Sequence, residues 1–159
     1  KNVIPATVTA LGTCSSAASI PVNIECSKKM GVPADIAETT IPLGTSFHKD
    51  GSIIGSVFKI MFLVYLFGSD ISILTIIGVS LLATLLVTAV PIGGGTISET
   101  LIITFLGFPI SSLGMLTIIA TIIDPPATML NVVGDSATAV VVAKSENCLD
   151  ETTYFKEVK

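Results

Sequence analysis

The sequence predicts an all-α membrane protein with two re-entrant helical hairpins, one discontinuous transmembrane helix and one transmembrane helix that carries a polar stripe. Of the 159 residues, 50% are hydrophobic and only 13% are charged, whereas soluble domains carry about 25% charged residues. Residues 71–98 and 100–123 contain no charge, and runs of this length reach the roughly 20 residues that cross a bilayer core. These observations exclude a soluble domain and predict a multi-pass membrane protein.

The first predicted element is a re-entrant hairpin over residues 1–27. Its polar tip, residues 12–16, separates two apolar arms of about ten residues, and each arm is too short to cross a bilayer that needs about 20. A charged loop and a broken transmembrane helix follow over residues 28–68. The break is the polar, glycine-containing stretch 44–51, which is typical of discontinuous transmembrane helices.

The second predicted hairpin, residues 69–109, has its tip at the glycine-rich stretch 91–96. Non-helical backbone at membrane depth is tolerated only where protein or water surrounds it. The alternative is that the three glycines join two spanning helices in an aqueous loop. Residues 110–144 form the polar-striped helix, and residues 145–159 form a polar tail. The loop at residues 28–29 and the tail both carry lysines, which favours a cytoplasmic position for the loop and for the tail.

The polar stripe consists of Asp124, Thr128, Asn131 and Asp135, spaced at i, i+4, i+7 and i+11. At 3.6 residues per turn these side chains share one helix face, over roughly 16 Å of the axis. Carboxylates facing lipid would cost several kcal/mol each, about 2.5–3.5 on insertion scales. The stripe therefore indicates a polar interior, with a helix–helix hydrogen-bonding seam as the alternative.

A further carboxylate, Asp50, lies at the helix break beside His48 and Lys49. Hard cations prefer oxygen ligands, and an unwound segment supplies free carbonyl groups. The break therefore predicts a cation site that also involves Asp135. The alternative for His48 is a satisfied core residue.

Several other classes of function are excluded or disfavoured. The net charge of −4 and the lack of basic clusters beyond residues 28–29 predict no nucleic-acid partner. The three cysteines, Cys14, Cys26 and Cys148, show no metal-ligand spacing, and their odd number disfavours a disulfide framework.

Five stretches of the sequence resemble the dicarboxylate/amino acid:cation symporters, the family of glutamate and neutral amino-acid transporters. They are the serine-rich tip at residues 14–21, the stretch 43–45, the triplet 50–52, the second glycine-rich tip and the run 128–135. The resemblance covers residues 12–145, which is roughly the last third of a transporter, so we expect a fragment of the transport core. It implies a symporter rather than an enzyme, located in the plasma (cytoplasmic) membrane, with sodium ions or protons as coupling ions and no covalent cofactor. It also implies a homotrimer whose N-terminal scaffold helices lie outside this chain.

The resemblance also implies roles for individual residues. The implied substrate-binding residues are Cys14, Ser16, Ser52, Val90, Asp124, Thr128 and Asn131. Asp124 would face an ammonium group, and the Asn131 amide would face an α-carboxylate. The implied cation ligands form three sites: Asp135 with Gly44, His48 and Asn131; Asp50 with His48; and Ser46 with Thr84, Leu85 and Val87.

Two departures from the family pattern bear on function. Members that take acidic substrates carry an arginine where this chain has Ala127. Because alanine cannot pair with a side-chain carboxylate as arginine does, a neutral amino acid is the favoured substrate. His48 and Lys49 replace an asparagine and a methionine, which makes them candidates for proton-based or sodium-sparing coupling. Alternatively, Lys49 reaches the pocket and restores an acidic substrate.

Three other interpretations stay open at this stage. The chain is a truncated remnant that transports nothing, a channel-like membrane subunit, or, more remotely, an intramembrane aspartyl protease with Asp50 and Asp135 as its dyad. The protease motif requires a glycine where Val132 stands and a tyrosine before the first aspartate, and this chain has neither.

Overall fold

The computed structural model describes residues 1–88 and 94–156, and these residues are helical with no strand. The all-α prediction is confirmed. A 3-10 turn, Ile110–Ser112, precedes the seventh helix. The α-helices are α1 (Ile4–Thr13), α2 (Ser16–Lys29), α3 (Ala34–Phe47), α4 (Asp50–Phe67), α5 (Ile73–Thr88), α6 (Gly94–Leu106), α7 (Leu113–Ser145) and α8 (Glu151–Lys156).

The chain divides into two compact units. The first unit comprises Lys1–Asp50 and Thr128–Lys159, and the second comprises Gly51–Ala127. The core of the first unit is built largely from small side chains, with Ile41 of α3 packed against Ala139 and Ala143 of α7. The core of the second unit is larger and more aliphatic: Ile60, Leu63, Ile76, Ala83, Ile102, Ile103, Phe108 and Leu116.

Helices α1 and α2 form a tight hairpin in the first unit. The chain reverses at Cys14, whose φ of 50° is left-handed, and the Ser15 side chain accepts a hydrogen bond from the Ala18 amide at 3.2 Å. A serine in this position satisfies one of the free amides at the start of a helix. The polar tip predicted at residues 12–16 is thus a helix–turn–helix; its entry into a bilayer stays a prediction.

Helices α3 and α4 are separated at the predicted break. His48 adopts an extended conformation and ends α3, and α4 begins at Asp50. The interruption is therefore only two residues long, whereas the polar sequence around it spans 44–51.

Helices α5 and α6 pack against each other within the second unit, and the re-entrant hairpin predicted for them stays a prediction. Its predicted tip falls on residues 89–93, including Val90, which lie outside the described residues. Helix α7 continues through Pro125 and Pro126, although each proline removes one backbone donor.

Two helical stretches, Ala34–Phe67 and Ile110–Ser145, are long and apolar enough to cross a bilayer when judged by length and composition alone. Their mean hydropathies are 1.6 and 1.5. These stretches correspond to the two transmembrane helices that the sequence predicts.

The tail after α7 is attached to the first unit. The Asp150 amide donates to the Gly31 carbonyl at 2.9 Å, and Leu149 packs on the core around Ile41. The Asp150 carboxylate accepts hydrogen bonds from the hydroxyls and amides of Thr152 and Thr153 at the start of α8. These bonds stabilise the ionised form and lower the pKa of Asp150 to about 2.

Candidate functional site

A cluster of polar side chains surrounds Asp135 in the first unit, and we call it the Asp135 cluster. Asp135 lies on α7 and is fully buried. Its Oδ2 atom accepts a hydrogen bond from the Thr45 hydroxyl at 3.2 Å, and its Oδ1 atom lies 3.5 Å from Nδ1 of His48. The same histidine nitrogen is 4.0 Å from Oδ1 of Asp50. The helix break thus places His48 and Asp50 beside a buried carboxylate.

Two glycines permit this close approach. A Cβ atom on Gly44 would lie 2.5 Å from Oδ1 of Asp135, and one on Gly134 would overlap the His48 ring. Helix α3 therefore meets α7 at a distance that no larger residue allows. This close approach is the steric reason for the glycines at 44 and 134, which directly precede Thr45 and Asp135 in the sequence.

The Asp135 cluster is not fully hydrogen-bonded. Among the described residues, neither Oδ1 of Asp135 nor Nδ1 of His48 has a hydrogen-bond partner. Buried polar atoms nearly always have partners, so this pair of atoms calls for an explanation. The charge of Lys49 also acts on Asp135. A carboxylate in these surroundings attracts a cation or a proton.

Within the described ranges, no group of three or more His, Cys, Asp or Glu side chains is arranged so that it could hold a metal ion by itself. A hard cation at the Asp135 cluster would therefore need backbone carbonyl or hydroxyl oxygens in addition to the carboxylates. Such oxygen sets suit sodium-like ions better than transition metals.

A neutral network lies next to this cluster. The Asn23 side chain of α2 is buried, donates to the Val132 carbonyl at 3.0 Å, and accepts a short hydrogen bond from the Ser136 hydroxyl. Both partners are on α7. This residue did not emerge from the sequence, although an asparagine within an apolar arm was a visible signal.

A second group of charges lies in the second unit, and we call it the Lys59 cluster. The Lys59 ammonium on α4 donates to Oδ1 of Asp124 at 2.8 Å and lies 3.7 Å from Oε1 of Glu99. The Thr117 hydroxyl donates to the other oxygen of Glu99 at 3.0 Å. Sequence reasoning missed Lys59 and Glu99, even though Glu99 is the only charged residue between positions 71 and 123.

The predicted site residues are distributed over both units. The first unit contains Cys14 and Ser16 at the α1–α2 turn, the Asp135 cluster with Gly44, exposed Ser46 on α3, and Thr128 and Asn131 on α7. The second unit contains Ser52, Thr84, Leu85, Val87 and Asp124. Within the first unit, the structure brings Gly44, His48, Asp50 and Asp135 together. The convergence of Asp124 with Asp135, and of Ser46 with Thr84, stays a prediction.

Position 127 is where the resemblance leads us to expect an arginine in members that take acidic substrates. Ala127 is buried, and a Cβ atom on Gly55 of α4 would lie 3.6 Å from the Ala127 methyl group. The second unit thus contains no basic side chain at this position. A cationic side chain does reach α7 nearby, because Lys59 donates a hydrogen bond to Asp124. Asp124 lies about one helical turn before Ala127.

Comparisons with known proteins agree with the family resemblance. The model of the sodium:dicarboxylate symporter family matches residues 1–145. The proton/glutamate-aspartate symporter of Escherichia coli is 34% identical over 158 residues, which cover 95% of this chain and 36% of that protein. The proton/sodium-glutamate symport protein of Bacillus caldotenax is 33% identical over 148 residues, 91% of this chain and 35% of that protein.

Human excitatory amino acid transporter 2 is 31% identical over 152 residues, which cover 91% of this chain and 26% of that transporter. The chain therefore spans between about a quarter and just over a third of the length of these relatives, which are transporters and not enzymes. No solved structure matches it significantly. Because the family model accounts for all but its last residues, this chain belongs to the sodium:dicarboxylate symporter family.

Proposed function

We propose that this chain is the transport core of a secondary active symporter that moves an amino acid or dicarboxylate across the membrane together with cations. The observation that carries the proposal is the Asp135 cluster, in which the helix break brings His48 and Asp50 to a buried carboxylate. A cation at this cluster would satisfy the carboxylate oxygen that accepts no hydrogen bond among the described residues. Ion binding and the unwound backbone would then be linked, as coupled transport requires.

The membrane arrangement is part of this proposal. The stretches Ala34–Phe67 and Ile110–Ser145 cross the bilayer, and the hairpins α1–α2 and α5–α6 enter it and return. Large apolar side chains such as Tyr65, Leu74 and Ile122 are mostly exposed, which suits lipid or neighbouring scaffold helices better than water. The complete transporter is a homotrimer in the plasma membrane.

The coupling ions are sodium ions or protons. Gly44, His48, Asn131 and Asp135 form one site, His48 and Asp50 a second, and Ser46 with Thr84, Leu85 and Val87 a third. His48 and Lys49 place nitrogen-based groups where the family pattern has a neutral amide and a thioether. This exchange favours fewer sodium ions per cycle, with a proton or a fixed ammonium in their place.

The substrate is a neutral amino acid. Asp124 binds its ammonium group and Asn131 its α-carboxylate, while Cys14, Ser16, Ser52, Val90 and Thr128 complete the pocket. Ala127 supports this preference because a methyl group cannot form the bidentate pair that arginine forms with a side-chain carboxylate. The alternative, an acidic substrate paired with Lys49, is an outcome of the test below.

The test is uptake by the full-length transporter in liposomes, with radiolabelled alanine, serine, aspartate and glutamate. We expect saturable accumulation driven by a sodium or proton gradient, with the neutral amino acids preferred. Asp135→Ala should lower this uptake by at least about tenfold, since loss of a residue that merely orients an ion ligand already lowers ion affinity by that factor. Glu146→Ala, an exposed carboxylate just after α7, is the matched control and should leave uptake unchanged.

Other results would contradict the proposal. Flux that rises linearly with concentration and ignores ion gradients indicates a channel. Gradient-driven uptake that prefers aspartate or glutamate contradicts the neutral preference alone. Loss of uptake in the control variant but not in Asp135→Ala contradicts the role of the Asp135 cluster.

A further inference from the structure

We propose that Lys59 is a resident counterion of the substrate site, which pairs with Asp124 in the empty carrier and moves onto Glu99 when a substrate ammonium takes its place. This inference rests on the proposed function. It assigns positioning roles to Lys59 and Glu99, two residues that the transport proposal does not use.

The geometry places the lysine between two carboxylates. Its ammonium nitrogen is 2.8 Å from Oδ1 of Asp124 and 3.7 Å from Oε1 of Glu99. A shift of about 1 Å would reverse which partner is closer, and the flexible four-carbon stem of lysine permits it. The ammonium group is thus already within reach of both positions.

The two carboxylates differ in accessibility. The Glu99 side chain is 2% exposed, and Thr117 holds its second oxygen. The Asp124 side chain is 40% exposed, and a Cβ on Gly95 of α6 would lie 3.8 Å from its Oδ2. Glu99 is therefore a fixed internal partner, whereas Asp124 is the member of the cluster that an incoming group can reach.

The charges of the cluster leave room for one cationic group. One lysine and two carboxylates sum to a single negative charge, and three of the four charged residues of the second unit belong to this cluster, the fourth being Asp70. Uncompensated charge is costly in a dry interior. A substrate ammonium at Asp124 makes the cluster neutral, provided that Lys59 can transfer to Glu99. Glu99 is what allows Lys59 to leave Asp124.

Glu99→Gln tests the transfer. The amide still accepts a hydrogen bond from Thr117, but it no longer offers a charge to Lys59, which then stays on Asp124. We expect the half-saturation concentration for alanine to rise at least about tenfold, a factor that close charge pairs in binding sites reach, while the maximal rate changes little. Asp70→Asn is the control, because it removes an equal charge from an exposed position of the same unit.

The double variant Lys59→Met/Glu99→Gln distinguishes transfer from simple structural support. It leaves Asp124 alone, with the same single negative charge as the wild-type cluster, so alanine affinity should recover to within about threefold of wild type, the usual context-dependence of a pair interaction. A purely structural ion pair predicts the opposite, a double variant at least as impaired as Glu99→Gln.

The outcomes separate the two proposals. Wild-type affinity in Glu99→Gln, or a double variant that does not recover, overturns the counterion role and leaves the symporter proposal intact. A wild-type protein that accumulates none of the four amino-acid probes overturns both proposals.

Discussion

The Asp135 cluster and the Lys59 cluster each contain a buried carboxylate, but the groups that face its negative charge differ. Each has a buried carboxylate with one oxygen held by a threonine hydroxyl, from Thr45 in one case and Thr117 in the other. The second oxygen of Glu99 faces a lysine ammonium at 3.7 Å, whereas that of Asp135 faces only an imidazole nitrogen at 3.5 Å. The second unit thus holds a lysine ammonium against its buried carboxylate, whereas in the first unit the charge of Lys49 acts on Asp135 from beyond ion-pair distance.

This difference indicates where external ions act. The Lys59 ammonium offsets the charge of Glu99 without a solute ion, whereas Asp135 has no lysine at ion-pair distance among the described residues and would gain more from a bound ion. We therefore expect sodium or pH to influence the Asp135 cluster far more than the Lys59 cluster.

The largest expected effect concerns the Lys59 ammonium. Lys59→Ala should destabilise the protein by about 3–5 kcal/mol, because it leaves buried Glu99 without its charged partner. His48→Ala should cost no more than about 1 kcal/mol, since the histidine is partly exposed and such pairs contribute little. Thermal unfolding in detergent measures both. Equal losses would show that the two clusters do not differ in this way.

A medium effect is expected where the first unit uses neutral groups. Asn23→Ala removes the bond to the Val132 carbonyl and the partner of the Ser136 hydroxyl, and buried groups left unpaired cost about 1–3 kcal/mol. The control is Asn2→Ala, which loses only an exposed bond to Lys29 and should change stability by less than about 0.5 kcal/mol. A silent Asn23→Ala would mean that the first unit does not depend on this network.

The smallest effect is expected at the tail, where an exposed carboxylate replaces the buried ones. The lowered pKa of Asp150, about 2, means that the ionised cap stabilises α8 fully above the ordinary aspartate pKa of about 3.9. That contribution is lost as the pH falls through about 2. Hydrogen exchange at the Thr152 and Thr153 amides should therefore keep constant protection between about pH 4.5 and 7, after correction for the intrinsic rate.

The variants of the cap give the same test at neutral pH. Asp150→Ala should speed exchange at these two amides, and Asp150→Asn should do so much less, because asparagine also caps helices. Exchange as slow as in the wild type in both variants would show that α8 does not need the cap.

The sequence predicts the Asp135 cluster better than the Lys59 cluster for a physical reason. Helix periodicity and the polar break are local signals, and they correctly place His48 and Asp50 at the end of α3 and the start of α4. Lys59 and Glu99 are isolated charges in apolar segments, so no spacing rule relates them. Only the packing of α4, α6 and α7 in the second unit brings them together, and local sequence does not specify which helices pack.

Local sequence signals also fail to predict the contacts of Asn23 and the course of α7 at its prolines. The Asn23 amide finds its partners on a helix more than 100 residues away, which periodicity cannot indicate. The Asp124–Pro125–Pro126 sequence suggests a disturbed helix, yet α7 includes both prolines, because the φ angle that a proline ring fixes near −65° is also a helical value.

The two glycines that border the Asp135 cluster set the range of sequences that can preserve it. Neither Gly44 nor Gly134 contributes a functional group, yet a single methyl at either position would displace the carboxylate or the imidazole. Natural variation and laboratory redesign of ion preference must therefore proceed through neighbours such as Thr45, because side-chain atoms of Asp135 and His48 already occupy the space that a larger residue at 44 or 134 would need.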